Sequence, residues 1–143
     1  MDKLCRMRPD DDDPEYPFGL NEVSASIYVL SSTHGAMMNG GLRYFFSVEH
    51  PGDLEYDEIC SIYRRIEAPK VAECISDASR IFRFSNPHLK ADERNETMWR
   101  LEQGLGCGEM LFDDMDRIVF DEDLDEKIVL YMRRHANLLE YLR

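Results

Sequence analysis

Asn39-Gly40-Gly41 separates two helical patterns, and Leu42-Arg43-Tyr44-Phe45-Phe46 follows directly. This stretch restricts the fold more than any other. Adjacent glycines reach backbone angles closed to other residues and let helices approach closely. The aromatic residues behind them can bury a large apolar area at one point. The stretch therefore reads as a joint between two helices with a core anchor attached: Asn39, Gly40 and Gly41 as the joint, Phe45 and Phe46 as the anchor. A phosphate-cradling loop is the other reading of a glycine pair. It is disfavoured, because no Gly-Lys-Ser/Thr follows and no strand precedes.

Helical spacing continues on both sides of the joint. Upstream, Asn21 can cap a helix, and Leu20, Val23, Ile27, Leu30, His34 and Met37 recur at three and four residues, predicting a helix over 21–38. His34, on that apolar face, reads as a hydrogen-bonded core histidine. Downstream, a short helix runs through Phe46 and Val48 to a turn at His50-Pro51-Gly52-Asp53. Tyr56, Ile59, Ile62, Tyr63 and Ile66 mark the next helix. Pro69 opens another, which buries Val71, Cys74, Ile75, Ala78, Ile81 and Phe82 and stops at Asn86-Pro87. Residues 92–105 form a more polar helix, with Asp92 as cap and Trp99 as anchor. Gly104 to Gly108 is a connector. Met110, Leu111, Met115, Ile118 and Val119 define a further short helix. Leu124, Ile128, Tyr131, His135, Leu138 and Leu142 define the last, with acids at its start and Arg133, Arg134 and Arg143 at its end, as the helix dipole favours.

No stretch alternates with period two for long enough to build a sheet. The expected fold is all-α, a single compact domain of about six or seven short helices over residues 20–143. Residues 1–19 read as an irregular, proline-containing acidic arm, with Asp10 to Asp13 as a solvated block.

Composition then narrows the function. The 143 residues include 29 acidic and 17 basic side chains, for a net charge of −12. Such an excess argues against nucleic acid and anionic membranes as direct partners and favours a basic partner or no charged partner at all, since an acidic surface also supplies solubility. Met1 to Arg8 lacks the apolar core of a secretory signal, and no run is long enough to span a bilayer, so a cytoplasmic location is expected. Cys5, Cys60, Cys74 and Cys107 are widely spaced and read as reduced structural thiols; with His34, His50, His88 and His135 scattered too, no metal site is expected. No serine lies in a Gly-x-Ser-x-Gly context and no His-Glu-x-x-His occurs. Asp121-Glu122-Asp123-Leu124-Asp125 places acids at alternate positions. It is not an EF-hand, since Glu126 and Met132 stand where that loop needs glycine and glutamate. The chain reads as non-enzymatic, without a catalytic residue or cofactor.

The acids are concentrated. From Glu109 to Glu126 there are nine acidic residues against one basic residue, Arg117, a net of −8. If Leu111, Met115 and Ile118 face the core, Asp113, Asp114 and Asp116 point outward. They then adjoin Asp121, Glu122, Asp123 and Asp125, and these seven carboxylates form the candidate partner-binding surface. Asp57 and Glu58, from a second cluster, supplement it. Carboxylates three or four residues apart on a helix have Cβ atoms about 5–6 Å apart. Duplex DNA carries about one charge per 1.7 Å of axis, so several such rows could imitate it. A solvated acidic face that complements helix N-termini is the plainer reading.

Asn39-Gly40-Gly41 with Phe45-Phe46 also resembles the signature of a bacterial family of small acidic helical proteins, labelled as a domain of unknown function and named for a DNA-mimic member. Ile66-Glu67-Ala68-Pro69-Lys70-Val71-Ala72 is similar to that family's helix start, and Asp92-x-Arg94 to its acid–arginine pair. The family often has an aromatic residue where Leu42 stands and glycine where Glu67 stands. The resemblance covers residues 20–142 and implies an all-helical fold. For the mimic member it implies a dimer that binds a DNA-binding transcription factor through a DNA-like acidic surface. The resulting expectation is a DNA mimic occupying the basic nucleic-acid-binding face of a regulator or nucleoid protein. An immunity or antitoxin-like protein that blocks a toxin is the alternative.

Overall fold

The computed structural model describes residues 20–139. The acidic arm, Cys5, Leu142 and Arg143 lie outside the described residues. Six α-helices follow one another: α1 (Glu22–Ser47), α2 (Tyr56–Arg65), α3 (Pro69–Ser79), α4 (Ala91–Gln103), α5 (Asp113–Asp121) and α6 (Leu124–Arg134). Short 3-10 turns at Pro51–Asp53, Pro87–Leu89 and Ala136–Leu138 link or follow them. No strand occurs among the described residues, and the fold is all-α as expected.

α1 is the hub. It packs against α2, α4, α5 and α6, while α3 lies across α2 and α5. Asn21 accepts a hydrogen bond from the Ser24 amide (2.9 Å) and starts α1 as its N-cap. The glycine pair breaks α1 without ending it. Gly40 has extended backbone (φ −168°) and Gly41 lies at φ 66°, ψ −160°, after which the helix resumes. Phe45 and Phe46 then point fully into the core. The Phe46 ring meets Phe45, Tyr56, Phe82 and Phe112 at centroid distances of 4.9 to 5.7 Å. Joint and anchor stand where the sequence places them.

The far end of α1 explains Arg94. A helix leaves its last four carbonyls without internal partners. Here His50 Nε2 bonds the Phe45 carbonyl (2.8 Å), Arg94 Nε donates to Phe46 (2.8 Å), Asn95 Nδ2 to Ser47 (3.0 Å) and Arg94 Nη2 to Val48 (2.9 Å). Arg94 Nη1 donates to the Pro87 carbonyl (2.7 Å). The last turn of α1 contains no basic residue, and Arg94 supplies the positive charge from another helix. Its hydrogen bonds all go to main-chain carbonyls, so it forms no ion pair with Asp92.

Several sequence expectations fail locally. Trp99 is 60% exposed; Arg94 and Met98, one turn apart, hold the inward face of α4. Asp92 does not cap α4, whose cap position is Lys90. Ile81 and Phe82 follow α3 rather than belong to it, and α6 stops at Arg134, leaving Leu138 exposed. On α5 and at its N-cap the inward residues are Phe112, Asp116 and Val119, and Ile118 faces out.

The α2–α3 turn yields a direct test. Ala68 N donates to Tyr63 O (2.9 Å) and Glu67 N to Arg64 O (3.1 Å), the two bonds of a Schellman cap with Glu67 at its left-handed position. Glu67 indeed has φ 63°, a conformation that favours glycine. Glu67→Gly is expected to raise stability by about 0.5–1 kcal/mol, the left-handed strain relieved exceeding the added freedom of the unfolded chain. The Glu67–Arg134 contact it removes is exposed and long (3.4 Å). A urea midpoint lower than that of the parent would contradict this.

Candidate partner-binding face

Acids at the first turns of α5 and α6 place this face. Asp113 and Asp114 open α5; Asp123 caps α6 by accepting from the Glu126 amide (3.2 Å), and Asp125 and Glu126 occupy its first turn. Negative charge there is stabilised by the helix N-terminus. Sequence order thus sets two acidic helix starts on consecutive elements.

Of the nine nominated carboxylates, Asp114 and Asp121 are exposed and carry no ion pair among the described residues. Asp113 is paired with Arg117 (2.8 Å) on the surface. Glu122 is mostly covered and bonded to Lys127 (3.1 Å). The Asp125 side chain is 80% exposed, yet its Oδ1 lies 2.9 Å from Nε2 of buried His34. His34 is therefore the hydrogen-bonded core histidine expected, and it ties α6 to α1. Asp57 and Glu58 are exposed at the start of α2. Glu58 is engaged in a capping box with Glu55 (2.8 Å), and Asp57 lines a separate hollow with Tyr56, Ser79 and His88. The structure gives these two no place in the α5–α6 cluster.

Asp116 is the correction. It was expected on the outer face; it is 8% exposed, and its Oδ1 accepts from the Leu42 amide (2.8 Å). The carboxylate caps the helix where it resumes after Gly41. Burial pushes its pKa above the usual carboxylate value; the Leu42 hydrogen bond opposes this and Asp113 adds to it. Asp116 is part of the joint and cannot serve as a contact residue.

Two acids missed by the sequence reading join the face. Glu73 and Asp77, one turn apart on α3, look across to Asp121 and Glu122 at the end of α5. Between them runs a groove of about 560 Å³, also lined by Lys70, Cys74, Met115 and Ile118. The Cys74 thiol on this groove is pushed up in pKa by burial, then by Asp77, Glu73 and Asp116. Glu73 and Asp77 share a helical face with Cys74, which was the available signal.

No group of three or more histidine, cysteine or carboxylate side chains suited to a metal occurs among the described residues, and no described helix is long and apolar enough to cross a membrane. What the arrangement offers chemically is a dense set of paired and unpaired carboxylates beside an apolar-floored groove. No curated protein and no solved structure matches the chain. A family model described as DMP19-like protein matches residues 19–141. Matched over most of its length, this chain belongs to the DMP19-like protein family.

Proposed function

We propose that this protein is a non-enzymatic acidic binding module that occupies the basic nucleic-acid-binding face of a regulator or nucleoid protein, in the manner of a DNA mimic. The observation that carries this reading is the exposed carboxylate set on two consecutive helices: Asp113 and Asp114 at the start of α5, Asp121 at its end, and Asp123 and Asp125 at the start of α6. Charges held on helices suit a basic surface better than a flexible acidic tail does, since little backbone freedom is lost on binding. Family membership adds support through the acidic helical scaffold.

The test uses a basic DNA-binding protein recovered with this chain from lysate. Its affinity should fall steeply as salt rises, as it does for DNA. Asp114→Lys should lower the melting temperature by no more than a few degrees, the cost of a cation at an exposed helix N-terminus, and weaken binding by about tenfold or more, since Asp114 is exposed and carries no ion pair among the described residues. Affinity indifferent both to salt and to Asp114→Lys would refute the reading.

A further inference from the structure

The groove between α3 and α5 has something that imitation of phosphates does not require: an apolar floor. α3 contributes Lys70, Glu73, Cys74 and Asp77, spaced as one helical face. α5 contributes Met115, Ile118 and Asp121, and Glu122 follows at its C-cap. Cys74 is buried at the base, Met115 is half-buried, and Ile118 stays 42% exposed. Four carboxylates and one ammonium line the groove, a net charge of −3. The span from residue 70 to residue 77 gives it a length of about 10 Å, close to two helical turns.

An apolar strip between acidic rims is complementary to an amphipathic helix with basic flanks. A DNA backbone offers phosphates and no such anchor, so this groove adds selectivity that the exposed carboxylates lack. We propose that the α3–α5 groove seats a short basic amphipathic helix of the protein partner. An apolar side chain would rest on Cys74, Met115 and Ile118, with Lys or Arg side chains against Glu73 and Asp77 on one rim, where Asp77 would give up its exposed contact with Arg80 (3.4 Å), and against Asp121 on the other, Glu122 being already bonded to Lys127. This rests on the acidic-module reading and names the chemistry of the partner: cationic and apolar together, not cationic alone.

The test is an amide-resolved NMR titration of the full chain with two synthetic peptides. One repeats Lys-Leu-Ala-Lys-Leu-Ala-Lys; the other has the same charge with each Leu replaced by Ser. The Leu peptide should bind more tightly, shift amides of α3 and α5 around the groove, and keep part of its affinity in high salt. Ile118→Ser should weaken the Leu peptide about tenfold and leave the Ser peptide unchanged; Ile118 is exposed, so the fold should tolerate the change. Equal binding of both peptides, with shifts at Asp113, Asp114 and Asp125, would overturn the groove assignment and leave the acidic module standing. Binding of neither would overturn both. Self-association without peptide, abolished by Ile118→Ser, would give the groove to a second copy and overturn the proposal.

Discussion

Gly41→Ala is expected to destabilise the protein by about 3 kcal/mol or more, measured by chemical denaturation. Two independent costs meet at this residue. Its backbone, at φ 66° and ψ −160°, lies where only glycine is at ease. A Cβ built there would stand 2.7 Å from both carboxylate oxygens of Asp116. Neither neighbour can yield freely, because Asp116 is held by the Leu42 amide and Leu42 is fully buried. Gly41→Val should be worse and populate unfolded chain. A double-mutant cycle separates the two costs. Asp116→Ala alone should destabilise, since the buried Leu42 amide loses its acceptor. Combined with Gly41→Ala it should cost less than the sum of the single changes, since the collision disappears while the backbone strain stays. Strict additivity would mean that Gly41 and Asp116 do not touch in solution.

That pair also shows where sequence reasoning stops. The joint was legible because glycine pairs and helical periodicity are local signals. The core was legible for the same reason: Val23, Ile27, Leu30 and Met37 repeat at the helical period, and all are buried. Asp116 was not legible. It sits in a run of acids, and outward placement is the ordinary fate of an acid. Which of them turns inward is decided by Phe112, just before α5, and Val119, both buried and on the same face as Asp116. Choosing Leu111 and Ile118 instead rotated the helix by about one residue, roughly 100°. Trp99 failed for a related reason. The largest aromatic was assumed to be the anchor, whereas the inward face of α4 is polar at Arg94 because a distant helix end needs a donor there. Long-range demands of that kind leave no periodic trace. Glu73 and Asp77 carry a local signal in the helical face they share with Cys74, but that this face meets Asp121 and Glu122 became visible only once α3 and α5 were placed side by side.

Arg94→Met is expected to cost about 3 kcal/mol or more, the second large effect. Methionine fills much of the volume and removes a desolvated charge, so a purely steric or Born argument would predict little loss or even a gain. Hydrogen bonding decides the sign. Arg94 is 2% exposed and donates to three carbonyls, of Phe46, Val48 and Pro87, from Nε, Nη2 and Nη1. Two of these are end carbonyls of α1, where the helix dipole concentrates negative charge. No other donor to the Phe46 and Val48 carbonyls is present among the described residues, whereas the Pro87 carbonyl also accepts from the Lys90 amide (3.1 Å); the Phe46 carbonyl is buried at this contact. Arg94→Lys keeps the charge and three N–H donors, but a single nitrogen cannot spread over carbonyls that the guanidinium fork reaches from three directions. It should recover part of the loss and leave one or two carbonyls unmet. The local signature is amide exchange. Protection around Phe45 to Val48 should fall first in Arg94→Met, because the last turn of α1 frays once its partner from α4 is gone. If Arg94→Met melted like the parent, water would have to satisfy those carbonyls, and Arg94 would be packing rather than capping. An unchanged exchange rate at the α1 terminus, alongside a global loss of stability, would likewise place its contribution elsewhere.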